Sequence, residues 1–148
     1  MKRMYSEEEL LEATNTENLV DSKGRNRFIV GNGEPRNVSG MTIASSKWTL
    51  NGNNLVFEIL GTFTENLSGG TLCIFDLPDW IISKIATPYN NVIDIIDCKI
   101  VFLDASATTI RVQITTDGGN VFFNNTTTAT VSGTGIFKIR YNTIIDNE

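Results

Sequence analysis

Residues 106–116, SATTIRVQITT, set the frame for the chain. Ile110, Val112 and Ile114 alternate with Arg111 and Gln113, the period of two that sends one set of side chains into a sheet's buried face and the other outward. A second alternation runs near the end, with Phe137, Ile139 and Tyr141 set against Lys138, Arg140 and Asn142. Turn signals separate the runs: NGNN follows MTIASSKWTL, DGGN follows the first alternation, and SGTG precedes the last. Asn-Gly and Asp-Gly between β-rich runs mark hairpins, because the two-residue turns that suit twisted strands need positive φ.

Further strand runs are LVFEILGTFT, TLCIFDLP and VIDIIDCKIVFLD, with shorter ones at VFFNN and TTATV. Pro78 ends the TLCIFDL run, since proline gives no donor to a sheet ladder. DWIISKI, with Asp79 as its cap, reads as a short turn between strands. Thr (18), Ile (17) and Asn (16) lead the composition, and they suit pleated surfaces and tight turns rather than helices. About eight or nine strands at a spacing of roughly 8–15 residues predict an all-β, jelly-roll-like antiparallel β-sandwich. No fixed internal period appears, so a propeller or solenoid is disfavoured.

Charge and composition exclude several functions. The net charge is −5, and no basic block follows Arg36, so a clustered phosphate-binding face for nucleic acid is not expected. No apolar run approaches the ~20 residues of a membrane span, and the N-terminus has no secretory h-region. A soluble protein made in a cytoplasm is expected. The chain has no histidine, so neither a Ser-His-Asp nor a Cys-His nucleophile system can be assembled. Cys73 and Cys98 lie in apolar runs. A disulfide between them is possible, and two buried free thiols are the preferred reading.

The other chemistry-bearing residues have plain structural readings. Asp76 and Asp79 beside Trp80 suggest the two acids of a glycosidase, yet a cap and a packed indole explain them. Asp94 and Asp97 are three apart and face opposite sides of a strand. Asp117–Asn120 lacks the alternating acidic ligands of a calcium loop, and Gly31–Glu34 lacks a dinucleotide fingerprint. Both read as turns. The sequons at Asn37, Asn66, Asn124 and Asn125 carry no weight without a secretory signal. Trp48 and Tyr89 are the candidates for glycan contact, with core packing the preferred reading for aromatics in a β-sandwich. No cofactor, metal or catalytic residue is expected.

Residues 1–36 differ from the rest. Ser6 and Glu9 in YSEEELLEA form a capping-box signature, with Tyr5 as a staple and Leu10 and Leu11 as a narrow apolar face. A helix this short needs a surface to lie on. SKGRNR, containing Arg25 and Arg27, then links to a short strand candidate, Phe28–Val30, and GNGEPRN reads as turn. The expected organisation is an N-terminal arm over 1–36 and a β-sandwich over 37–148.

The run SKWTLNGNNLVFEILGTFTENLSGGTLCIFDLPDWIISKI resembles the β-rich heads of trimeric virion appendages in tailed bacteriophages. The closing GIFKIRYNTIIDNE is similar to their terminal strand, and YSEEELLEA resembles the N-terminal ends of phage structural proteins. The resemblance covers residues 40–148 best. It implies a non-enzymatic head-fibre, decoration or receptor-binding subunit, assembled in a host cytoplasm into the virion. It further implies a homotrimer docked on a capsid or tail protein through Tyr5, Leu10, Leu11, Arg25, Arg27, Phe28 and Ile29. Phe137, Ile139 and Tyr141 are the expected trimer contact, and a host-surface glycan is a further partner. A carbohydrate-binding module or receptor-binding fibre tip is the alternative.

Overall fold

The computed structural model describes residues 28–38, 40–64, 69–127 and 134–145. The helix expected from Ser6, and with it Tyr5, Leu10, Leu11, Arg25 and Arg27, lies outside the described residues, as do Asn66 and most of TTATV. Among the described residues there are eight strands: β1 (Phe28–Pro35), β2 (Met41–Asn51), β3 (Asn54–Phe63), β4 (Gly70–Asp76), β5 (Val92–Phe102), β6 (Ala107–Asp117), β7 (Asn120–Asn125) and β8 (Gly135–Ile144). One helical turn, α1 (Asp79–Ile82), stands between β4 and β5.

The strands close in the order β1-β2-β3-β8-β5-β6-β7-β4, each antiparallel to its neighbours. The all-β expectation holds, and the jelly-roll-like sandwich becomes a barrel of two four-stranded ladders. One seam between them is short, Ile100–Phe102 of β5 against Gly135–Phe137 of β8. The other is made by β1, which pairs with β2 through Phe28–Asn32 and with β4 through Gly33–Pro35. A strand that changes partner is how a sheet turns a corner.

This corrects the turn expected at GNGEPRN. Gly31 and Gly33 are strand residues, each directly opposite an aromatic: Gly31 faces Trp48 and Gly33 faces Phe75. A Cβ at either position would run into that ring. The same device recurs at Gly61 opposite Phe137 and at Gly135 opposite Phe63. In all four cases the missing side chain makes room for a ring on the neighbouring strand, and a turn conformation is not involved.

The hairpins fall where the turn signals place them. Gly52-Asn53 joins β2 to β3, with Gly52 at φ 63°, and Gly118-Gly119 joins β6 to β7, with Gly118 at φ 63°. Inward residues of the alternating runs build the core, including Ile110, Val112 and Ile114. Phe57, Phe75 and Phe123, from three different strands, form a triangle with ring centroids 5.0, 5.3 and 5.4 Å apart. Such ring pairs add about 0.5–1.5 kcal/mol each beyond the burial of their area. At α1 the N-cap is Pro78 and Asp79 is the first helical residue, which corrects the expected cap. Ile81 and Ile85 of this connection are buried.

The antiparallel order gives the barrel two distinct ends. β1 begins and β8 finishes at one end, shared with the two tight hairpins and the α1 connection. At the other end β1, β3, β5 and β7 finish and β2, β4, β6 and β8 begin.

Because β1 is a barrel strand, removing residues 1–36 should abolish cooperative unfolding in a circular-dichroism melt, whereas removing residues 1–27 should preserve it.

Candidate functional site: the outer surface of the barrel

The strand that was expected to supply a subunit contact presents its other face. Phe137 and Ile139 are each 2% exposed and belong to the core, so they cannot touch a partner. Tyr141 points the same way and is half-buried beside Phe123, with ring centroids 6.5 Å apart. Alternation located the strand correctly. The apolar set it identified is consumed by the barrel's own interior, and the outward residues of β8 are Ile136, Lys138, Arg140, Asn142 and Ile144.

The two proposed glycan aromatics separate. Trp48 is 4% exposed, packed over Gly31, which corrects its assignment as a sugar contact. Tyr89 is 72% exposed, in the loop that follows α1. Phe28 and Ile29, assigned to the docking arm, lie at the start of β1; Phe28 is exposed and Ile29 packs against the core. Asp76 and Asp79 both reach the β6–β7 hairpin at Gly119. Among the described residues no cluster of His, Cys, Asp or Glu is arranged to hold a metal.

Cross-strand register orders the outer surface of β1, β2, β3 and β8 into rows. Asn32, Lys47, Glu58 and Arg140 form a charged row across the face. On one side of it come Ser45, Leu60 and Lys138, then Thr42, Thr62, Ile136 and Val101 of β5. On the other side lie Val30, Thr49, Val56 and Asn142, then Phe28, Asn51, Asn54 and Ile144. Directly opposed residues in such rows sit about 4.5–5.5 Å apart at Cβ. Lys47 Nζ lies 3.9 Å from a Glu58 carboxylate oxygen. Two hollows flank Glu58, one of about 250 Å³ reaching Leu60 and Lys138 and one of about 330 Å³ reaching Val56 and Arg140.

The opposite outer surface is mixed, with Ile74 and Phe122 paired and half-buried on its outward side next to a polar network. Thr71 donates its hydroxyl to the Asn124 side-chain oxygen at 2.8 Å, and the Asn124 amide donates to Thr115 at 3.3 Å. Of nine exposed large hydrophobic residues among those described, six lie on the β1-β2-β3-β8 face and the end of β5 that joins it. The three elsewhere are Tyr89, Ile95 and, in the turn after β5, Leu103. Isolated exposed apolar residues are ordinary, but their concentration on one face marks a contact surface. A cleft of about 340 Å³ on the other side is lined by Asp97, Thr109, Arg111, Thr126 and Thr127. Its Arg111–Asp97 contact is 3.9 Å long and well exposed, of the kind that contributes little to stability.

Both thiols are free and buried. Burial pushes Cys98 up to about 11, and it also raises Cys73. Neither is activated as a nucleophile, which requires a lowered thiol pKa. At the barrel end where the chain enters, Tyr141 is pushed up to about 12, first by burial and then by the charge of Asp94, to which its hydroxyl donates.

No protein-family model matches the sequence, and no curated protein matches it. Among solved structures, the chain is similar to the distal domain of the mouse adenovirus 2 fibre, at 13% identity and TM-score 0.48, covering 87% of this chain and 84% of that one. It is similar to the bovine atadenovirus type 4 fibre head at 14% identity and TM-score 0.35, covering 75% of this chain and 99% of that one. It is also similar to the Ad16 fibre knob, at 11% identity and TM-score 0.39, covering 82% and 93% of the two chains.

The Tyr141 shift has a sign. A phenol whose folded pKa lies above its ordinary 10 adds stability that is complete below pH 10 and lost as pH rises towards about 12. Urea-unfolding free energies should therefore fall across that interval, and Tyr141→Phe should reduce the slope.

Proposed function

We propose that this chain is the head of a trimeric virion appendage, presented on a particle by the segment that precedes Phe28. The observation that carries this reading is the concentration of exposed apolar residues on one outer face of a barrel that already has a complete core. A barrel whose core is filled has no internal use for Leu60, Val101, Ile136 and Ile144, and burying them against other copies removes that surface from water at roughly 25 cal/mol per Å². The direction of the chain supports the same reading. β1 begins at one end of the barrel, and the opposite end, where β1, β3, β5 and β7 finish, is where a distal receptor-facing surface would be.

The role is structural and non-enzymatic. Placement on a tailed-phage capsid or tail, as a head-fibre or decoration subunit, is supported by the sequence likeness of residues 40–148. Docking would fall to residues 1–27, with Phe28 and Ile29 committed to β1 at the base of the head. The burial of Trp48 weighs against the alternative of a free-standing carbohydrate-binding module, which needs exposed rings in pairs.

Multi-angle light scattering on the full chain, and on a chain beginning at Phe28, tests the reading. Both are expected at three times the monomer mass, with the head assembling by itself and the leader left for docking. Monomers in both samples would refute it.

A further inference from the structure

Resting on the reading of the chain as a self-assembling head, we infer that copies meet through the outer face of β2, β3 and β8 with the adjoining end of β5, packed around a three-fold axis. The opposite face, with its bonded Thr71-Asn124-Thr115 ladder, then points away from the axis.

Charge selects the occupant. Glu58 stands in the middle of this face, between Lys47 on one side and Arg140 on the other, with Lys138 one row away. Its contact with Lys47 is long, at 3.9 Å, and among the described residues neither Lys138 nor Arg140 forms an ion pair. An entirely apolar partner would strip water from Glu58 and return nothing, which is costly for a charge. A further copy of the same face brings its own Lys138 and Arg140 to Glu58 while covering the apolar rows on both sides. Charges of both signs on one surface make it complementary to itself, which favours the correct register over other pairings.

Shape agrees with charge. The hollows of about 250 and 330 Å³ on either side of Glu58 are open, polar at the rim and apolar at Leu60 and Val56. Ile136, 55% exposed, projects from the same face two residues from Lys138. A side chain on one copy entering a hollow on the next is a heterologous contact, and such a contact repeats until the ring closes.

Sedimentation equilibrium on the full chain and on single variants tests the assignment. Ile136→Asp and Leu60→Asp change outward residues on this face, and Thr109→Asp changes the opposite side as a control. Leu60 is 43% exposed and lies opposite Lys138, so its substitution leaves the core intact; circular dichroism verifies the fold of each variant. The expected result is a trimeric wild type and control, with the dissociation constant raised about thirtyfold or more by Ile136→Asp, as for a side chain central to an interface. Leu60→Asp is expected to weaken the trimer in the same direction. Were Ile136→Asp to unfold, Leu60→Asp would carry the test. A trimeric wild type with variants as tightly associated as the control overturns the assigned face and leaves the appendage reading standing. A monomeric wild type overturns both, and a monomer that floats with anionic phospholipid vesicles would reassign the face to a membrane.

Discussion

The barrel depends on glycine lying opposite an aromatic. At Gly31 and Gly33 the first strand passes beneath Trp48 and against Phe75, and in that short distance it leaves β2 and takes up β4. A side chain at either position would hold the strand off its neighbour, and this seam between the ladders would not form. Gly61 and Gly135 do the same around Phe137 and Phe63, near the other seam. Closure in turn lets Phe57, Phe75 and Phe123 meet at the centre from three strands.

A closed and filled core gives the outside its meaning. Inward positions of β8 are spent on Phe137 and Ile139, so whatever the molecule does with partners is done by outward residues. These are unequally distributed. One half of the barrel carries threonine and asparagine that bond to one another, while the other carries Leu60, Val101 and Ile136 around a charged row. Glu58 in that row prevents the face from being a plain greasy patch and suits it to a surface of its own kind.

Much of this was legible in the sequence, and the rest was hidden for physical reasons. Ile110, Val112 and Ile114 fixed a strand and its inner face because β6 alternates without interruption, and Asn-Gly and Asp-Gly-Gly fixed two hairpins because their geometry is local. β1 was obscured because glycine and proline are turn formers in isolation, and only the aromatic partners, far along the chain, show that Gly31 and Gly33 make room for rings. The inner residues of β8 were recognised as one face and assigned to the wrong neighbour. Alternation shows that Phe137 and Ile139 share a side, but the pairing of β8 with β3 and β5, remote in sequence, decides that this side faces the core. Trp48 was left open between core and sugar contact for the same reason, since exposure of an aromatic is a property of its non-local neighbours.

Which half of the barrel is covered in solution decides whether the molecule is such a head. Hydroxyl-radical footprinting of the assembled full chain, read by mass spectrometry, measures this directly. Leu60, Val101 and Ile136 are expected to be shielded, and to become labelled on dilution below the association range, while Tyr89 is labelled throughout. Strong labelling of those three residues in the assembled state, with protection confined to the β4-β7-β6 surface, would contradict it.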